Sequence, residues 1–129
     1  MKYTFVLFVL SISLSLSAQD ASAIVKFDKT SIVLGKVKKG DTREGTFSFT
    51  NVSKEPVSIE IVDACECTTL DYNTEEIAPG DKGIIHFIFD SSEKEESETI
   101  DVDVTFINEN PITGGPYMMF LNYSYVLEK

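Results

Sequence analysis

Along Gly45–Asn51 the side chains alternate one for one, with Phe47 and Phe49 on one side and Thr46, Ser48 and Thr50 on the other. An extended strand sends successive side chains to opposite faces, so this pattern describes a strand with one buried and one wet face. It recurs in Val57–Ile61, where Val57, Ile59 and Ile61 are expected to face in, in Ile100–Phe106, and in Tyr117–Leu127, where Tyr117, Met119, Leu121, Tyr123 and Tyr125 share one face. Ile24–Asp28 reads as a short first strand that Ser31–Val37 continues, with Gly35 placed for a bulge or a strand switch. Gly83–Phe89 is nearly all apolar, which predicts a central strand or one covered on both faces. Lys38–Asp41, Pro79-Gly80 (the central pair of a type II turn) and Asn108–Pro116 punctuate the runs. No helical period of useful length occurs beyond the first residues. The expected fold is a single immunoglobulin-like antiparallel β-sandwich of about seven strands over residues 24–129.

A chain of 129 residues has room for one such domain, and its nine Phe and five Tyr can fill a core without Trp. The first residues set the expected address. A cation at Lys2 precedes an apolar, Ser/Leu-rich run from Phe5 to Leu16, too short to span a bilayer and of the length of a secretory core. Cleavage is expected after Ala18, alternatively after Ala23 of Ala21-Ser22-Ala23, leaving a periplasmic, secreted or surface protein with no membrane insertion after cleavage. Removing Lys2 from the 11 basic residues leaves 10 against 21 acidic, so the exported chain carries −11. That charge excludes nucleic acid as a partner, because a duplex binder must neutralise phosphates with Lys and Arg.

Cys65-Glu66-Cys67 is the sharpest candidate site. In an extended strand the two Cα atoms stand roughly 6.6 Å apart, near the outer limit for a disulfide, so a bond between them needs a kink. Three readings stay open: a structural local disulfide or buried thiols, a soft-metal site, and a thiol–disulfide exchange site. Asp63 and Glu66 would raise the thiol pKa values and oppose exchange. His86, the single histidine, alternates within an apolar strand; a copper-type site would need Cys65, Cys67 and His86 to converge. The acids of Asp90–Asp103 follow no calcium-loop spacing and read as a solvated hairpin that shields an edge strand. No Ser/His/Asp order, phosphate loop or paired-His motif is present, so no enzyme and no cofactor are expected.

Phe27-Asp28, Leu34–Gly40 (L-G-K-V-K-K-G), Phe47–Ser53 (F-S-F-T-N-V-S), Val57–Ile59, Ala64–Thr68 (A-C-E-C-T) and Ile77–Gly83 (I-A-P-G-D-K-G) occur in an order that resembles the domain of unknown function 1573 family. The resemblance spans about Ile24 to Ile107. It implies a secreted bacterial protein with an Ig-like domain similar to ASPM/SPD-2/Hydin modules, and it brings no reaction. The family pattern is Cys-Gly-Cys-Thr; Glu66 replaces the glycine, and a side chain there is expected to disfavour a tight turn and a local disulfide. Leu34 stands where the family usually has an aromatic. The expectation is therefore an exported, non-catalytic binding or structural module of the bacterial envelope that engages an unidentified protein partner. The alternative is a soft-metal or thiol–disulfide protein built on Cys65 and Cys67.

Overall fold

The computed structural model describes residues 20–129. The expected Ala18 cleavage site lies outside them. A 3-10 turn (Ala21–Ala23) leads into eight strands: β1 (Val25–Phe27), β2 (Ser31–Lys38), β3 (Thr42–Asn51), β4 (Ile59–Asp63), β5 (Thr68–Tyr72), β6 (Lys82–Asp90), β7 (Glu98–Glu109) and β8 (Pro116–Glu128). They form two four-stranded sheets in the orders β1-β3-β6-β5 and β2-β8-β7-β4. The sandwich is as expected. The strand not foreseen is β5, directly after the cysteines, where T-T-L-D-Y offers only a short alternation. One pair is parallel: β2 runs alongside β8, because the chain crosses from the first sheet to the second between β1 and β2. Gly35, at φ +77°, sits within the register shift of that pair, as its position in the sequence predicts.

Alternation locates the core well. Phe47, Phe49, Phe87, Phe89, Phe106, Val102, Val104 and Tyr123 are fully buried. Phe49 lies against Phe27 (ring centroids 5.1 Å) in its own sheet and edge-on to Phe106 (6.0 Å) in the other. Gly83 is small of necessity, since a Cβ there would run into the Phe49 ring and Ile77. Pro79-Gly80 makes the expected turn, with Asp81 N donating to Ala78 O at 3.0 Å and Gly80 at φ +83°.

Three expectations need correction. Ile61 does not face the core: a bulge between Ile59 and Ile61 inserts Glu60, so Val62 is buried (6% exposed) and Ile61 is 51% exposed. Ser31–Val37 does not continue the first strand, since β1 and β2 lie in different sheets, whereas β6 is central, one of its two expected placements, with Ile84 and Ile88 exposed on its outer face. Finally, the acidic run is no edge hairpin; it links β6 in one sheet to β7, an inner strand of the other. There Asp103 lies opposite Asp63, and burial, then Asp101 and Asp63, raise the Asp103 pKa.

Two buried polar side chains tie loops to this frame. Asn51 Nδ2 donates to Glu55 O (2.7 Å) and Ile77 O (2.9 Å), while its Oδ1 accepts from Ser53. Ser91 Oγ donates to Asp41 O at 2.7 Å, pinning the β2–β3 turn to the end of β6.

The bulge makes a sharp prediction. Val62→Ala should cost about 2 kcal/mol in urea unfolding, and Ile61→Ala less than about 0.5 kcal/mol. Equal costs would mean that alternation runs unbroken through β4.

Candidate functional site

The cysteines lie in the short link between β4 and β5. Thr68 N donates to Cys65 O at 3.0 Å, closing a β-turn with Glu66 and Cys67 at its centre. The turn brings the two Cα atoms to 5.2 Å, and Cys65 and Cys67 are joined as a disulfide. This is the kink that an extended strand lacks. No residue other than glycine has positive φ among the described residues, so Glu66 occupies the turn in an ordinary conformation. The expected obstacle at Glu66 therefore does not arise: a turn of this kind needs no glycine.

Both sulfurs are half-buried and rest on the end of the core. Cys65 Sγ lies 3.1 Å from Thr68 Oγ1, and Cys67 Sγ lies 3.7 Å from the same oxygen and 3.9 Å from the Tyr123 hydroxyl. Thr68 Oγ1 and the Tyr123 hydroxyl are themselves 2.5 Å apart. Tyr123 belongs to the opposite sheet and stacks on Phe87 (4.3 Å, 9° between planes). Burial pushes its pKa up, so it is a neutral hydrogen-bonding phenol near neutral pH. With Tyr123 donating to Thr68, the threonine hydroxyl is free to donate to Cys65 Sγ.

On the outer side a hollow of about 520 Å³ opens, lined by Cys65, Glu66, Cys67, Asp90, Glu93 and Lys94. Asp90 N donates to Cys67 O at 2.9 Å and holds the turn against the end of β6. The Asp90 carboxylate accepts from Ser92 Oγ (2.6 Å) and Ser92 N (2.9 Å), which keeps its pKa below the ordinary value. The Lys94 ammonium is engaged by Glu98 at 2.8 Å. The hollow is thus a negative surface around a disulfide.

His86 is elsewhere. Its Nδ1 lies 2.8 Å from Thr46 Oγ1 and its Nε2 3.2 Å from Glu44, on the outer face of β6 and away from the core on which the sulfurs rest. Cys65, Cys67 and His86 therefore do not assemble a soft-metal set, and among the described residues no group of three or more His, Cys, Asp or Glu is placed to hold a metal ion. Sequence reasoning missed Thr68 and Tyr123. Thr68 stands directly after the pair and was open to inspection, whereas the Tyr123 contact crosses between sheets.

Residues 25–113 match the family model described as protein of unknown function, DUF1573. The chain belongs to that family. No curated protein matches this DUF1573 chain. Among solved structures it is similar to a protein of unknown function from Porphyromonas gingivalis W83 (18% identity, TM-score 0.65, covering 88% of this chain and 50% of that one). It is also similar to the ASH/PapD-like domain 7 of human CEP192 (11%, TM-score 0.67, 93% and 96%). A third is the YadV chaperone (12%, TM-score 0.59, 82% and 53%). At these identities the likeness is one of fold. The DUF1573 chain spans about half the length of the P. gingivalis and YadV chains.

A ring closed over three residues restricts an unfolded chain little: the chain-entropy relation gives about 1.6 kcal/mol, against about 4.7 for a 100-residue loop. The disulfide is therefore a weak staple on a domain that already has a large core. Replacing both cysteines with serine should lower the calorimetric melting temperature by less than about 10 °C; loss of folding would make the pair a structural staple. A second measurement concerns Glu98, whose pKa is lowered from 4.5 by hydrogen bonds first from Lys94 and then from Tyr125. Its stabilisation is complete above pH 4.5 and is lost as pH falls through the depressed native value. Glu98→Gln should therefore flatten the fall of the urea midpoint between pH 6 and about pH 3.

Proposed function

We propose that this DUF1573 domain is an exported, non-catalytic binding module of the bacterial cell envelope that takes an extended segment of a partner protein. The observation that carries this reading is the open side of the sandwich. β4 and β5 are each one of the two edge strands of their sheet and are joined by the cysteine turn, and among the described residues no strand pairs with their outer edges. An unpaired edge offers a row of N–H and C=O groups to an added strand. Beside β4 lie the exposed Ile61 and the acids Glu60, Asp63, Asp101 and Asp103, which favour a segment mixing apolar and basic residues. The bulge and the carboxylates guard this edge against a second copy of the chain.

Export is supported by the charged and apolar start of the chain, and the burial of Ala21 bears on where cleavage falls. Ala21 is fully buried and its O accepts from Ile24 N at 2.9 Å, so cleavage after Ala23 would remove a packed residue. Cleavage after Ala18 leaves it in place. The mature protein should begin at Gln19, as read by N-terminal sequencing of periplasmic material. A start at Ile24 or an uncleaved chain would count against that address.

The binding surface is tested by photo-cross-linking residues placed singly at Ile61, Thr69 and, on the opposite side, Lys26, in cells that export the protein. One discrete adduct is expected from Ile61 and Thr69 and none from Lys26. Equal labelling at all three, or none, would remove the β4–β5 side as the contact.

A further inference from the structure

We infer that the Cys65–Cys67 disulfide is a thiol–disulfide exchange site selective for thiols that carry positive charge. The inference is independent of the binding reading and goes beyond it. It rests on four features that coincide. The disulfide closes a ring of three residues, so opening it does not release a long loop. Both sulfurs are half-buried and line an open hollow of about 520 Å³ that can admit a small thiol or a cysteine-bearing loop. The hollow's other lining groups are Glu66, Asp90 and Glu93, with Lys94 already paired to Glu98. Behind the sulfurs, Tyr123 and Thr68 form a hydrogen-bond relay that ends on Cys65 Sγ.

The relay assigns the direction of attack. Thr68 Oγ1 is nearer to Cys65 Sγ (3.1 Å) than to Cys67 Sγ (3.7 Å), so Cys65 is the better supported leaving thiolate. An incoming thiolate attacks Cys67 Sγ and forms a mixed disulfide. The Cys65–Cys67 bond breaks, and its electron pair leaves on Cys65 with the Thr68 hydroxyl donating to it. A second thiolate attacks the substrate sulfur of the mixed disulfide and releases Cys67. In sum, two thiols become one disulfide, the protein pair becomes a dithiol, and the two thiol protons end on Cys65 and Cys67. Thr68 is a positioning residue here and Tyr123 supports it.

The acidic surround explains the selectivity. Negative groups raise the pKa of any thiol held among them, which slows neutral and anionic thiols. A thiol that brings its own cation offsets this field and is concentrated by it. The natural substrate class is therefore a cysteine flanked by Lys or Arg on an exported protein, or a small aminothiol.

The test is the rate of reduction of the native protein, without denaturant, by cysteamine, 2-mercaptoethanol and 2-mercaptoethanesulfonate, each expressed per thiolate. A synthetic peptide of residues 64–68 in its disulfide form is the reference. The protein should favour cysteamine over mercaptoethanesulfonate by about tenfold more than the peptide does, and the preference should shrink toward the peptide's value in 1 M salt. Glu66→Gln with Glu93→Gln, both exposed side chains, should reduce the preference without changing the circular dichroism. Thr68→Val should slow all three thiols to a similar extent, and Thr68→Ser should restore the rate. A charge preference no larger than the peptide's, or a disulfide that reacts only once the protein is unfolded, would overturn the proposal.

Discussion

The contact between Tyr123 and Phe87 is the point on which the two sheets agree. Tyr123 comes from β8 and Phe87 from β6, and their rings lie 4.3 Å apart and nearly parallel, with Phe89 tilted against the same tyrosine. Burying such rings supplies a large part of the apolar area that joins the layers. The tyrosine hydroxyl cannot be left unpartnered at that depth, and Thr68 at the start of β5 meets it. One side chain therefore fastens the sheets together and fixes the first residue after the cysteine turn. The hollow, the turn and the relay all take their positions from it.

A disulfide closed over three residues is a weak constraint beside a core of this size. The core is continuous across both sheets and includes Phe47, Phe49, Phe87 and Phe106, with Cys65 and Cys67 packed against it. The cysteines cover the end of this core on the β5 side. Their surroundings are unlike those of a buried structural cystine, with carboxylates on the outside and hydroxyls on the inside. Charge and hydrogen bonding thus act on the sulfurs from opposite directions. The fold neighbours share the sandwich and supply no chemistry for the sulfurs.

The open side of the molecule adds a second consequence. Among the described residues β1 and β2 on one flank and β4 and β5 on the other are all edge strands, and both β2 and β4 carry a register shift; the β4–β5 flank is set apart by its acids Glu60, Asp63, Asp101 and Asp103. The cysteine turn is the corner of that flank. Binding and exchange would therefore occupy neighbouring surfaces, although each rests on its own observations.

Much of this was legible in the sequence because the pleat of a strand is a local property. Alternation alone placed Phe47, Phe49, Leu121, Tyr123 and Tyr125 in the core, and Pro79-Gly80 declared its turn, since only glycine accepts that φ freely. The sequence by itself also marked Cys65 and Cys67 as the residues to watch. What tertiary structure alone decided depended on partners far along the chain. The bulge at Glu60 reversed the facing of Ile61 because β7 sets the register of β4. The crossing after β1 made β2 parallel to β8. His86 and the cysteines, both near apolar runs, were assigned to different surfaces by the pairing of β3, β5 and β6. Above all, the placing of a phenol from residue 123 beneath a turn at residue 65 is invisible to any local pattern. It arises because two sheets must interdigitate to exclude water, and only that packing selects which side chains meet.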